Sequence, residues 1–561
     1  MTIMHKTILG TFIIIASIAT KAGAKLTDGK ALFDYFTYTG NDDYYNHYPL
    51  TTKSSFYNPI IPGFYPDPAI CRVGNDYWLV TSTFGYYPGV PIFHSNDLIN
   101  WTLVGNVLNR PSQLPALKGQ KVDKGGIYAP NINYDAQTKT YYMITTDVGR
   151  GHFYVTTKDP MKNQWSDPTW LTDIDGIDPA FFFDDDGQAY IIYKENTAGQ
   201  PKWSNHRCLR IVRFDKNTGL TTGEPIKFRE AGVGPEEHLG RNEGPHIYKI
   251  NGKYYIIAAE GGTGIFHSEV AYRADSIFGP YTRWSRNPIL TQRELKPERT
   301  NPVTCTGHAD IVQTPDGNWW AVFLGCRPGP EGVEQLGRET FLMPVKWSMD
   351  GFPYITQEKD TIPLTSTMQG AERTGKSTFG NFTWNDTFNS TKLRPEWLSL
   401  LGPADEFAQL QKGHLQLTPT EVMPQDGYTP SMLLRRIQHH KFTVETKLDF
   451  TPYPGAQAGI IIFKNEQRFY RFGLRRGMVV VESSTKNKTM TTLASVKVDD
   501  KTESILLKTN CNGSKYEFQF STDGGKSWQT AADNIDAMFV SQKAGGFTGT
   551  TIGVYAYRES L

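Results

Sequence analysis

One pattern recurs through the first two thirds of the chain and limits what it can fold into. It consists of a polar residue, a short apolar strand, a tight turn and an aromatic strand. Asp178 leads "DPAFFFDDDGQAY", Glu243 leads "EGPHIYKINGKYY" and His308 leads "HADIVQTPDGNWW". In each, a glycine (Gly187, Gly252, Gly317) stands nine positions after the lead, and an aromatic (Tyr190, Tyr255, Trp320) three after the glycine. "DPAICRVGNDYW", led by Asp67, repeats the pattern with a turn two residues shorter. "PNINYDAQTKTYY", from Pro130, keeps the strands but lacks the glycine and the polar lead. Gly, Asn and Asp tolerate the positive φ of hairpin turns, and the flanking apolar, aromatic runs suit strands. The copies recur every 48 to 65 residues, about one four-stranded sheet each. Five such sheets around an axis predict an all-β, five-bladed β-propeller.

That architecture places the chemistry. The first strand of each blade lies nearest the axis, so equivalent positions converge at one end of the central channel. Asp67, Asp178, Glu243 and His308 are expected to meet in one pocket, although 241 positions separate the first from the last. A single Asp-Pro usually marks a strand end facing water; three carboxylates at matching repeat positions favour a shared pocket. Aromatics make up 13% of the chain, and such rings stack on sugar faces as well as filling β cores. Convergent carboxylates among aromatics suit glycoside hydrolysis. One carboxylic acid protonates the leaving oxygen, and a second carboxylate activates water or attacks the sugar carbon. A third nearby would disfavour ionisation of the acid. No phosphate loop, nucleotide fold or Ser-His-Asp signature stands out. A net charge of +1 without a basic stripe argues against nucleic acid as partner.

The same residues carry a resemblance. "NPIIPGFYPDPAI" (58–70), "PGVPIFHSNDLINW" (88–101), "GIYAPNI" (126–132), "DGIDPAFFFDDDG" (175–187), "RNEGPHIYK" (241–249), "CTGHADIV" (305–312) and "GRETFLMPVKW" (337–347) resemble family 43 glycoside hydrolases. These are five-bladed propeller enzymes that cut arabinofuranose and xylose from plant hemicelluloses. The resemblance implies an inverting mechanism with Asp67 as general base, Glu243 as general acid and Asp178 orienting Glu243 and raising its pKa. It implies that Arg338 reaches a sugar hydroxyl and that Phe84 and Tyr128 wall the pocket. It also implies that His308 lies near a water-ligated calcium or other divalent ion, acting on structure and local field rather than supplying a nucleophile; no cofactor is required. Tyr128 stands where related xylosidases often carry Trp, Asn131 where they often carry Asp, and "DPAFF" where they carry Asp-Ala-Ser. These departures lean toward an arabinofuranosidase, with β-D-xylosidase as the alternative and a non-catalytic glycan-binding propeller as a reading of another class.

Residues 1–24 read as a signal peptide: Lys6, an apolar run from Thr7 to Thr20, and a small-residue cleavage site at Ala22-Gly23-Ala24. The mature chain is therefore expected to be exported, periplasmic in a Gram-negative cell, and free of the membrane. Residues 25–360 are assigned to the propeller, 361–383 to a polar linker, and 384–561 to a β-sandwich of alternating runs such as "KFTVETKLDF". This last part resembles the concanavalin-like module of one branch of the family, which implies that Phe547 in "AGGFTGT" reaches the pocket rim. "STDGGKSW" (521–528) fits an Asp-box hairpin. The five cysteines are widely spaced, with no C-x-x-C pair to suggest zinc, and read as buried and inert. The expected partner is a plant cell-wall oligosaccharide or polysaccharide.

Overall fold

A computed structural model describes residues 29–195, 207–231, 242–375, 377–411 and 413–560; the expected signal peptide lies outside them. The chain is all-β, and the α-helix Asp43–His47 is one turn long. Five antiparallel sheets follow one another between Ala69 and Pro344. Their first strands are Ala69–Val73, Asn131–Asp135, Gly176–Phe183, Glu243–Ile250 and Thr304–Gln313. Each first strand touches the next, and the last touches the first. Buried polar side chains stitch them together. Asp310 accepts from the Ile70 amide (2.9 Å) and from the Tyr248 hydroxyl (2.6 Å), linking the fifth sheet to the first and fourth. Asn131 accepts from the Phe181 amide at 3.1 Å, linking the second to the third. The aromatic strands of the hairpins fill the wedges between sheets, as where Tyr142 packs edge-on against Phe181 with centroids 5.2 Å apart.

The fifth sheet has three strands of its own. Residues preceding the first sheet complete it: Ile61 and Thr340 exchange backbone hydrogen bonds, and the Asn58 amide both donates to Leu342 O (2.8 Å) and accepts from Leu342 N (2.9 Å).

The first strands are bulged where the chemistry sits. Pairing shifts register between Ile177 and Ala180, Glu243 and His246, and Gly307 and Asp310. A bulge leaves residues unpaired, bends the strand and re-aims a side chain. At these points Asp178, Gly244 and His308 adopt left-handed backbone (φ 55°, 56° and 52°), as does Asp67 (φ 54°), two residues before its strand. The fourth copy is thus one residue out of the expected alignment: Gly244, not Glu243, is the equivalent of Asp67, Asp178 and His308. Turn length explains the offset. Asn251 and Gly252 alone join Ile250 to Lys253, whereas five residues separate Phe183 from Ala189 and Gln313 from Trp319. Gly244 also has to be glycine, because a Cβ there would lie 2.7 Å from the His308 ring.

The C-terminal part is a sandwich of two sheets. In one, the strand order runs Ala408–Gln411, His414–Leu417, Ala31–Gly40, Lys441–Phe450, Ser504–Asn512, Lys515–Ser521, Gln529–Asp536; the other comprises six strands between Met432 and Arg558. The alternating burial of Lys441–Phe450 is that of a strand with one face in the core. The Asp-box hairpin forms as expected, with Asp523 accepting from the amide (3.0 Å) and hydroxyl (2.6 Å) of Ser527.

Two expected boundaries change. Ala31–Gly40, placed in the propeller by the sequence, is an interior strand of the sandwich, where Phe33, Phe36 and Tyr38 are fully buried. The stretch 361–383 is not a free tether. Thr365–Thr367 pairs with Ser55–Tyr57, and Ile362, Leu364, Met368 and Phe379 are buried in the propeller's cores.

The sandwich therefore cannot stand without its N-terminal strand. Burying three large side chains contributes about 1.5–3 kcal/mol each, which is comparable to the net ~5–15 kcal/mol of a whole domain. A fragment of residues 384–561 is expected to show no cooperative thermal transition by circular dichroism. Joining residues 29–41 to it through a Gly/Ser linker is expected to restore one.

Candidate active site

The bulges aim their side chains into one cavity of about 190 Å³. Asp67, Asp178, Glu243, His308, Arg338, Phe84, Tyr128 and Phe547, all anticipated from sequence, line it. The volume falls below the roughly 300–1,000 Å³ that holds drug-sized ligands, so the space suits one small polar ring.

Asp67 sits at the cavity wall with its charge fully matched. Ser82 Oγ donates to its Oδ2 at 2.6 Å and Arg338 Nη1 donates to its Oδ1 at 2.8 Å, with His308 Nδ1 at 3.7 Å. Burial alone would raise its pKa; Arg338, then His308 and the Ser82 hydrogen bond, outweigh burial and hold it below the ordinary aspartate value. Asp67 is therefore a carboxylate at neutral pH.

Asp178 and Glu243 behave oppositely. Burial, reinforced by the negative charge of Glu243, pushes Asp178 up to about 8, although the Gly244 amide donates to its Oδ2 at 3.0 Å. Glu243 also feels burial, but Lys194 Nζ lies 3.2 Å from its Oε2, and that cation, with His267 and His308, holds Glu243 below its usual value. The sequence expectation was that Asp178 raises the pKa of Glu243. Lys194, standing beside the glutamate, instead favours the proton on Asp178. The two titrate as a pair, so the physically meaningful quantity is one proton shared between them.

Arg338 is pinned rather than free to reach a sugar. Besides Asp67, it donates through Nη2 to Phe547 O at 3.3 Å, and its guanidinium lies 5.7 Å from the Phe84 centroid and 5.6 Å from that of Phe547. Its buried Nε has no protein partner. Phe84 and Phe547 stack with centroids 5.7 Å apart, and Tyr128 meets Phe547 edge-on.

Phe547 belongs to the sandwich, so the second domain completes the rim. Its amide donates to Asp123 O at 2.9 Å; Asn465 Nδ2 donates to Asp123 Oδ2 at 3.0 Å; Glu466 accepts from the Val122 amide at 2.6 Å. The buried Lys464 donates to Thr548 O. Gly337, beside Arg338, and Gly549 approach so closely that a Cβ on the first would sit 2.8 Å from the Cα of the second.

Five lining residues were not foreseen: Ala129, Ile177, Lys194, Thr263 and His267. Ala129 precedes Pro130 as Asp178 precedes Pro179, so it is the lead residue of the copy that lacked one. Lys194 pairs with Ile177 across its hairpin; only the strand register would have revealed it. His267 has no repeat signal. Its Nδ1 donates to Cys305 O at 2.9 Å, leaving Nε2 an acceptor without a protein partner.

Among the described residues no group of three or more His, Cys, Asp or Glu side chains is placed to hold a metal ion. His308 shares its surroundings with the Arg338 guanidinium. This donor set does not fit direct ligation of a divalent cation; the ion that the resemblance implies near His308 would have to be held through water.

The glycosyl hydrolases family 43 model matches residues 56–353, which contain every lining residue of the cavity except Phe547. The chain belongs to glycosyl hydrolases family 43. Residues 385–560 match the beta xylosidase C-terminal concanavalin A-like domain, so the propeller fold and its concanavalin-like companion are those of the family. Over 522 residues the chain is 35% identical to a non-reducing end alpha-L-arabinofuranosidase of Bacteroides ovatus, covering 90% of this chain and 92% of that one. It is 33% identical to a putative beta-xylosidase of Escherichia coli over 89% of this chain and 95% of that one. Among solved structures it resembles a GH43_12 protein retrieved from a capybara gut metagenome (TM-score 0.87, 38% identity, 94% of this chain and 100% of that one). It also resembles GH43B of a Bacteroides ovatus xyloglucan PUL (TM-score 0.78, 34% identity, 90% and 96%).

The raised pKa of Asp178 has a consequence for stability. Between the ordinary aspartate value and about 8, folded Asp178 keeps a proton that the unfolded chain has lost. Its contribution is therefore fully present below about pH 4 and disappears as pH rises through the folded value. Asp178→Asn is expected to raise the thermal midpoint by a few °C at pH 8.5 and much less at pH 4.5, as measured by calorimetry at the two pH values.

Proposed function

We propose that this protein is an exo-acting, inverting glycosidase that releases terminal non-reducing α-L-arabinofuranosyl residues from hemicellulose side chains or oligosaccharides. The observation that carries the reading is the cavity: room for one sugar, a charge-matched Asp67 facing a proton-sharing Asp178–Glu243 pair, and the aromatics Phe84, Tyr128 and Phe547 at the wall and rim. Asp67, kept ionised by Arg338, takes the proton from water attacking the sugar carbon. Glu243 protonates the glycosidic oxygen. Asp178 orients Glu243 through the Gly244 amide and holds the pair's proton to near pH 8. The small cavity supports removal of single terminal residues.

The arabinofuranoside preference is supported by Tyr128, Asn131 and Pro179 at positions where related xylosidases carry other residues, and by the 35% identity to the Bacteroides ovatus arabinofuranosidase. A β-D-xylosidase is the second reading, favoured by the E. coli relative and by the sandwich match; both pentoses present similar hydroxyls to the same three carboxyl groups. We further propose that the ring of five sheets is a five-bladed propeller and that residues 1–24 direct export, to the periplasm in a Gram-negative cell. A plant cell-wall glycan of arabinoxylan or xyloglucan type is the proposed substrate.

Paired nitrophenyl α-L-arabinofuranoside and β-D-xylopyranoside test the sugar; a higher kcat/KM on the arabinoside is expected, and the reverse would install the xylosidase reading. Leaving-group dependence tests the roles. Glu243→Gln is expected to lose about 10²–10⁴-fold on natural oligosaccharides but far less on a dinitrophenyl glycoside, whose leaving group needs no proton. Asp67→Asn is expected to lose activity on both. Sugar binding without turnover by the wild type on every pentoside would leave a glycan-binding module instead.

A further inference from the structure

Lys194 belongs to none of the sequence motifs. It lies on the second strand of the third sheet, opposite Ile177, is 8% exposed, and places Nζ 3.2 Å from Glu243 Oε2 at the wall of the cavity. The reading of Glu243 as the acid makes that position a problem. A general acid needs its proton, and a cation in contact disfavours protonation.

The charges around the pair explain what the lysine does. Glu243 is faced by Lys194 and Asp178 from the third sheet, by His267 from the segment entering Ser268–Ala274, and by His308 from the fifth. Across the cavity Asp67 and Arg338 compensate each other. Burial pushes His308 below its usual value and His267 down to about 4, so neither imidazole carries charge at neutral pH. The Tyr128 hydroxyl donates to Lys124 O at 2.7 Å and so is engaged elsewhere. Lys194 is left as the cation that balances the pair. With one proton shared between the two carboxyls, one carboxylate and one ammonium cancel, which is the least costly arrangement for buried charge. An ammonium has three donors, and Lys194 lines the cavity.

We propose that Lys194 is a positioning residue that clamps Glu243 as a carboxylate in the empty pocket and transfers its hydrogen bond to a hydroxyl oxygen of the incoming sugar, freeing Glu243 to take the proton from Asp178. The proton balance is closed. Asp178 becomes a carboxylate as Glu243 becomes the acid, and Glu243 then gives that proton to the glycosidic oxygen as the bond to the sugar carbon breaks. Glu243 is thereby armed only when a sugar fills the cavity. The inference rests on Glu243 as the acid and adds to that reading the device that controls it.

Lys194→Met and Lys194→Arg test it, with kcat/KM followed against pH and KM measured on an oligosaccharide. The basic limb of kcat/KM reports loss of the proton from the free enzyme's acid. In K194M that limb is expected to move up by about one unit or more, because the pair keeps its proton longer without the cation. KM is expected to rise by about tenfold or more with the loss of a charged hydrogen bond to the sugar. K194R is expected to keep the wild-type limb. A K194M limb that coincides with wild type, or a KM that does not move, overturns the clamp. If K194M does not yield folded protein, K194Q is judged by the same two measurements. The leaving-group dependence of Glu243→Gln separates the two levels. Its absence removes the acid assignment and the clamp together; its presence with an unmoved limb in K194M removes the clamp alone.

Discussion

Three carboxyl groups confined in one small cavity are the condition around which the rest of the structure is organised. Left-handed backbone turns Asp67, ahead of its strand, and Asp178, at a bulge, toward the axis, and Glu243 arrives one position earlier on its own bulged strand. Left alone, three such groups could not all ionise. The fold resolves the repulsion unequally: Arg338 and Ser82 keep Asp67 charged, while Asp178 and Glu243 are left to share a proton beside Lys194. That inequality gives carboxyl groups of the same chemistry different protonation states, the condition that the proposed base and acid require.

Much of this was legible in the sequence because hairpins are local objects. Turn residues and aromatic strands announce themselves within a dozen positions, and the repeat then brings distant leads together without any long-range information. All eight anticipated residues do line the cavity. The failures have physical causes too. Counting from glycines misplaced the fourth copy by one residue, because a two-residue turn and a five-residue turn both contain a glycine near the same spot. Lys194 was hidden because its place depends on strand register, which no pattern of residue types revealed. Ala31–Gly40 was misassigned because its alternation would suit either domain, and the strand Lys441–Phe450 beside it lies some four hundred residues away. The direction of the Glu243 shift could not be read without the lysine.

The concanavalin-like domain is more than an appendage. It supplies Phe547 to the rim, accepts the Val122 amide on Glu466, and holds Asp123 through Asn465. Arg436 inserts its guanidinium 4.2 Å from the Tyr65 centroid and 4.6 Å from that of Phe64 and donates to Phe64 O at 2.7 Å, bracing the segment that leads into Asp67. The same interface thus braces the segment before Asp67 from behind and lines the pocket in front.

The strand Ala31–Gly40 is made at the start of synthesis, yet its sheet neighbours, apart from those at Thr383–Asp386, lie beyond residue 413. Phe547 comes later still. A nascent chain can build its hairpins one after another as they emerge, but it must keep an unmatched apolar strand waiting until its partners at Thr383–Asp386, His414–Leu417 and Lys441–Phe450 are made. The rim is therefore finished last, and a chain truncated before Phe547 carries all three carboxyl groups without the aromatic that completes their cavity.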